Sequence, residues 1–272
     1  MWRAPTVADG TTSRSGAATA PVWRWILFRV LAVLAGGFFV AAAVPQALSP
    51  WRAVTLSNTS GVTDLNLHRW SAALAGGPDL GLAAVLLYVA WRPASAPLPL
   101  QWAALAVAVF LAANVPFIGP FVALIAIPVV LVLVSYPEPR ALLTAPWAGG
   151  LRLPVLALGA LIVIFLLPDA ARALVSQVRG TDELARNYDA ASNAEHLINL
   201  SLAALLAGMR KSGANVLALM AAAVLAFMGA AAITVPTNPG SWGTVGGAAA
   251  IAGGIALCGA VLYERRRSGQ DL

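Results

Sequence analysis

Cysteine, histidine and charge are all scarce in this chain, and each scarcity removes a class of chemistry. The single cysteine, Cys258, excludes an intrachain disulfide and a cysteine-built metal cluster. Two histidines, His68 and His196, are too few for a protein-only zinc site of the usual kind. Charged residues make up 10% of the chain, against about 25% in soluble domains. The sequence has no HExxH, no Gly-rich phosphate loop after a strand and no local Ser-His-Asp set, so no residue is assigned a catalytic role. Apolar residues do not alternate along the chain, which argues against an outer-membrane barrel.

What is present is apolar length. The chain is 60% hydrophobic with a mean hydropathy of +0.80, and its apolar runs of about 17–24 residues match the hydrocarbon thickness of a bilayer. The fold class is therefore all-α: a polytopic integral membrane helix bundle. A net charge of +6 and a pI near 10.4 would suggest nucleic acid in a soluble protein. Here the arginines stand at span ends, which points to membrane topology and anionic lipid as the partner, with no nucleic acid.

Punctuation divides the chain into about eight spans. Residues 1–21 read as a disordered tail, rich in Ala, Thr, Ser and Gly. The first span is Ile26 to Val44, longer than a signal-peptide core and so expected to stay uncleaved. The others are Trp70–Trp91, Gln101–Val115, Phe121–Tyr136, Leu153–Leu167, Asn193–Met209, Ala214–Val235 and Trp242–Tyr263. Pro116, Pro120 and Pro128 leave open a re-entrant pair in place of spans three and four. A first membrane half covers 22–152 and a second 153–267, and 268–272 form a short tail. Eight spans put both termini on one side. The other side carries only Arg52, Arg69, Arg172, Arg179 and Arg186, which leaves twelve of the seventeen basic residues with the termini. The positive-inside rule then places both ends in the cytoplasm of a bacterial plasma membrane. Asp64, Asp169, Asp182, Glu183, Asp189 and Glu195 all fall on the outer side in this layout.

The halves share an outline, which predicts a 4+4 parallel repeat about an axis along the membrane normal. Val44-Pro45-Gln46 ends span one and Leu167-Pro168-Asp169 ends span five. A polar outer segment follows each, leading to His68 and then His196. Val115-Pro116 and Val235-Pro236 open later turns.

Two stretches carry a resemblance. Trp242-Gly243 through Tyr263-Glu264-Arg265-Arg266, with Glu195-His196-Leu197-Ile198-Asn199 upstream, resembles the corresponding parts of uncharacterised multi-pass membrane proteins of high-GC bacteria. Arg29 to Phe39 is loosely similar to the opening of DoxX-like four-span membrane proteins. Each implies a membrane helix bundle, and neither implies an activity.

Polar chemistry concentrates in spans two and six. Asp79 lies nine residues after Trp70 and twelve before Trp91, near mid-bilayer if the tryptophans mark the interfaces, and an intramembrane carboxylate usually faces a cavity or a partner. Gly76-Gly77-Pro78 just before it predicts a helix break, because Pro78 has no N–H for the Leu74 carbonyl. Asp64, His68, Ser71 and Asp79 share one helical face, with Asp79 about 16 Å below His68. Asp189, Asn193, His196 and Asn199 form a similar stripe with no counterpart of Asp79. His68 and His196 read either as interfacial histidines bonded to nearby carboxylates or as ligands of a haem or another metal; otherwise no cofactor is expected. In span eight, Gly243 and Gly247, and Gly246, Ala250, Gly254 and Cys258, recur at fours, a seam for another helix of the chain or of a homo-oligomer. Two functions stay open: transport or permeation of protons, cations or a small solute through the broken second span, and an accessory role in a membrane complex docked through Asp169 to Ser192.

Overall fold

The structure is a computed structural model, and it describes residues 20–52, 68–180 and 183–268. Asp64, most of the N-terminal tail, Asp182 and residues 269–272 lie outside that range. The described residues form no β-strand. Their helices are α1 (Val22–Ala47), α2 (Arg69–Trp91), α3 (Pro97–Ile118), α4 (Ile127–Ser135), α5 (Pro139–Leu143), α6 (Leu153–Arg179), α7 (Glu183–Arg186), α8 (Asp189–Leu206), α9 (Ala214–Thr234) and α10 (Gly243–Ser268). Six are long and apolar enough to cross a membrane: α1, α2, α3, α6, α9 and α10. The remaining two expected spans are different objects. Residues Pro120–Ala126 are a 3-10 segment leading into the short α4, and α8 is 18 residues long with a polar face.

The long helices are all-round apolar, as a bilayer requires, since each satisfies its own backbone groups internally. Their outward faces keep Leu34, Leu161, Ile164, Val245 and Ile255 exposed, a belt suited to lipid rather than water. Inside, α1 packs on α2 and α4, α6 on α8 and α10, and α9 on α10. Between these groups, α2 packs on α9 and α8, and α3 packs on α8. The innermost helices are thus α2, α8 and α9. Aromatics hold the ends: buried Trp70 and partly buried Trp242 and Phe165 meet edge to face at 5.1 and 5.2 Å, and buried Phe28 meets buried Tyr136 at 5.2 Å.

Three local expectations need correction. First, α2 is unbroken, with Pro78 inside it. Its glycines serve close packing instead: a Cβ on Gly76 would lie 2.3 Å from the Ala47 nitrogen, and one on Gly77 would lie 2.7 Å from the Phe227 ring. Second, the connection expected from Pro168 is helical as far as Arg179. Arg172 pairs with Asp169 one turn back and also donates to the Pro168 carbonyl, so the helix continues past a proline that lacks only its own N–H. Third, the α10 seam runs through Gly247, Ala250, Gly254, Leu257 and Val261, alternating three and four, and it faces α9 of the same chain. Ala250, Leu257 and Val261 are buried, and a Cβ on Gly247 would sit 2.6 Å from the Gly229 carbonyl oxygen.

Candidate functional site

The polar side chains of α2 and α8 meet where these parallel helices run side by side. Ser71 Oγ donates to Asn193 Oδ1 at 2.7 Å, both buried, and fixes the register of the pair. Above that level His68 caps α2, its Nδ1 2.5 Å from Asp189 Oδ2 and its Nε2 3.5 Å from Glu183 Oε1. His68 thus stands against two carboxylates.

Below that level lies a second cluster. His196 Nδ1 is 2.6 Å from the Ser192 carbonyl oxygen. A carbonyl can only accept, so Nδ1 carries a proton and donates. His196 Nε2 faces Asp79 Oδ1 at 3.4 Å. With Nδ1 already protonated, a bond between Nε2 and Oδ1 needs one further proton, on the ring or on the carboxyl. Glu195 stands beside them: Asn199 Nδ2 donates to its Oε1 at 2.6 Å, while Oε2 is 3.1 Å from His196 Nδ1 but outside hydrogen-bonding alignment. Trp102 Nε1 of α3 donates to the Asn199 backbone oxygen at 2.9 Å and pins the α3–α8 contact.

This second cluster lines an open-mouthed cavity of about 200 Å³ bordered by α1, α2, α3, the 3-10 segment, α4 and α8. Asp79, Ser192, Glu195, His196 and Asn199 form its polar wall, with Gln46 nearby, and Phe39, Phe110, Ile125 and Val129 its apolar one. Two buried oxygens on that wall, Glu195 Oε2 and Asn199 Oδ1, have no hydrogen-bond partner. A larger cavity of about 780 Å³ lies at the His68 end of these helices, lined by His68, Trp70, Asp169, Arg172, Asn193 and Trp242 among others.

The sequence stripes therefore regroup. Asp79 leaves His68 and joins His196 and Asn199; His68 joins Asp189 and Glu183; Ser71 joins Asn193. Counting from the Ser71–Asn193 contact, His68 lies three residues above and His196 three below, a separation of about 9 Å along the axis. The two imidazoles do not converge, and among the described residues no group of three or more His, Cys, Asp or Glu side chains is placed to hold a metal ion. Glu195, expected on the outer side, is only 5% exposed. Its spacing of four from Asn199 was the available signal, since that spacing sets two side chains on one helical face. Trp102 carried no signal in sequence, because its partner lies 97 residues away.

No family model, curated protein or solved structure matches this chain. The site is read from its own geometry.

Proposed function

We propose that this is a multi-pass plasma-membrane protein that moves protons, cations or a small solute, with Asp79 and His196 as the group that loads and unloads. The carrying observation is the Asp79–His196 contact in a cavity bordered by helices. A carboxylate near mid-bilayer is costly unless it has a partner or a task. Here the partner is a titratable ring, across a contact that holds one mobile proton.

In this reading all eight segments cross the membrane. The 18 residues of α8 span about 27 Å, and seven 3-10 residues plus the nine of α4 span about the same; both lengths approach the hydrocarbon thickness of about 30 Å. The polar face of α8 is turned inward, so its composition does not oppose insertion. The helix contacts support the 4+4 repeat. Within one half α1 meets α2 and α4; within the other α6 meets α8 and α10; and α2 on α9 exchanges with α3 on α8. The Ser71–Asn193 offset of 122 nearly equals the Pro45–Pro168 offset of 123. Carried through, Asp79 corresponds to Ser201 and His196 to Leu74. Both pairs bridge the halves: one of the two related α2–α8 contacts has the ionisable pair, and the other has a hydroxyl and an apolar residue. Both termini lie in the cytoplasm on this reading, which rests on the arginine distribution.

The test is reconstitution. Vesicles carrying the wild-type chain should dissipate an imposed pH gradient, or a gradient of a small cation, faster than empty vesicles; no difference for any species would count against transport. A second reading, an accessory subunit of a membrane complex, draws on Val175 and Val178, which stay exposed on the far end of α6. It expects co-purification with a partner that is lost in Val178→Asp.

A further inference from the structure

We infer that the cavity beside Asp79 is a binding site for one small organic ammonium ion, its charged head on the α2–α8 wall and its carbon end against the aromatic wall. The inference rests on the transport reading above and names its substrate class.

Charge comes first. Among the described residues the titratable side chains lining the cavity are Asp79, Glu195 and His196, with no lysine or arginine. Two carboxyl groups stand against one imidazole, so even with the ring protonated one carboxyl has no counter-charge from the protein. In a low-dielectric interior it is neutralised by a proton or by a bound cation. Hydrogen bonding points the same way. Glu195 Oε2 and Asn199 Oδ1 are buried acceptors without donors, and Asp79 keeps 27% of its side chain exposed. An ammonium group brings up to three donors, as many as these three side chains present.

Shape then separates an organic cation from a bare metal ion. The carboxylate oxygens are confined to the α2–α8 wall; α1 adds the neutral amide of Gln46, and the lining outside α2 and α8 is otherwise mostly apolar, with Phe39 and Phe110 among its members. Hard metal ions take six or more oxygens arranged around them, and the described residues offer no such cluster of ligands. A one-headed cation suits a one-sided site: its head meets the carboxylates and its alkyl part meets aromatic faces that favour cations. The cavity of about 200 Å³ exceeds the roughly 30 Å³ share of a single water, so it has room for a few carbon atoms.

The experiment is calorimetric titration of the full-length chain in detergent with n-propylammonium, n-propanol and sodium at constant ionic strength. Saturable one-to-one binding of propylammonium is expected, with no heat from propanol and no competition from sodium. Glu195→Gln, which keeps the Asn199 contact available, should weaken binding about tenfold or more. Absence of saturable propylammonium binding by the wild type, equal binding of propanol, or sodium competing at the same concentration would each overturn the assignment, whether or not the variant folds. Proton flux without propylammonium binding would remove this inference and leave the transport reading intact. Binding without any transport would do the reverse.

Discussion

Asp79, His196 and Glu195 owe their positions to a few buried hydrogen bonds, and those bonds can be tested singly. Ser71→Ala leaves Asn193 Oδ1 without its donor, and Glu195→Ala leaves the Asn199 amide without its acceptor. Interhelical polar contacts in membranes are worth about 0.6–2 kcal/mol, so each change should lower stability by about that much in a thermal or denaturant unfolding assay. A change near zero in both would mean that the α2–α8 register is held elsewhere. At this scale the sequence was partly legible. The place of Asp79 inside α2 followed from the span bracketed by Trp70 and Trp91, and the face shared by Asn193, His196 and Asn199 from helical spacing. The pairing of Asp79 with His196 joins residues 117 apart, and no local pattern encodes which helices become neighbours. The burial of Glu195 was not legible for the same reason, since a carboxylate near a span end reads as solvated until a second helix covers it.

Helix contacts depend on where glycine lets backbones touch. A Cβ at Gly76 meets the Ala47 backbone, and one at Gly229 would lie 2.4 Å from the Gly247 carbonyl oxygen, whereas one at Gly37 meets nothing within 4 Å. Gly76→Ala and Gly229→Ala should therefore each cost about 1–3 kcal/mol by overpacking. Gly37→Ala should be neutral or stabilising, because alanine is the better helix former by about 1 kcal/mol. Equal effects at all three positions in an unfolding series would contradict the packing described for α1–α2 and α9–α10. Another element-level tie is Lys211, between α8 and α9, whose ammonium donates to Gln101 Oε1, the Thr144 carbonyl and Thr144 Oγ1 at 2.8–2.9 Å. Lys211→Met should loosen that end of the bundle, seen as faster proteolysis near Thr144. Helix existence was legible in sequence, and helix ends were not. Pro168 and Pro78 read as stops, yet each sits inside a continuous helix, because a proline removes one donor without forbidding the turns around it.

Taken whole, the molecule is an all-helical membrane bundle with six helices of crossing length and two shorter apolar or polar-faced segments. Composition alone was enough for the membrane class, since nothing else accounts for apolar runs that long. The number of crossings was harder to read, as α8 hides its polar face inside and the segment before α4 winds as a 3-10 helix. Orientation is open to direct measurement with the native thiol removed. In a Cys258→Ser background, cysteines placed at Arg3 and Arg267 should both react with an impermeant maleimide only after the membrane is opened. Labelling of either in intact cells would contradict the cytoplasmic placement of the ends and the even number of crossings.

The proposed function resides in the one α2–α8 contact that carries an ionisable pair, Asp79 of the first half with His196 of the second. On the proposed repeat Asp79 and Ser201 occupy related positions, one ionisable and one neutral, so the proposal is tested most directly by comparing Asp79→Asn with Ser201→Ala for dissipation of a pH gradient in proteoliposomes. Matched protein levels and unfolding midpoints control for loss of the fold. The account predicts a rate at least about tenfold below wild type for Asp79→Asn, and a rate near wild type for Ser201→Ala. Wild-type flux through Asp79→Asn, or an equal loss in both variants, would contradict it.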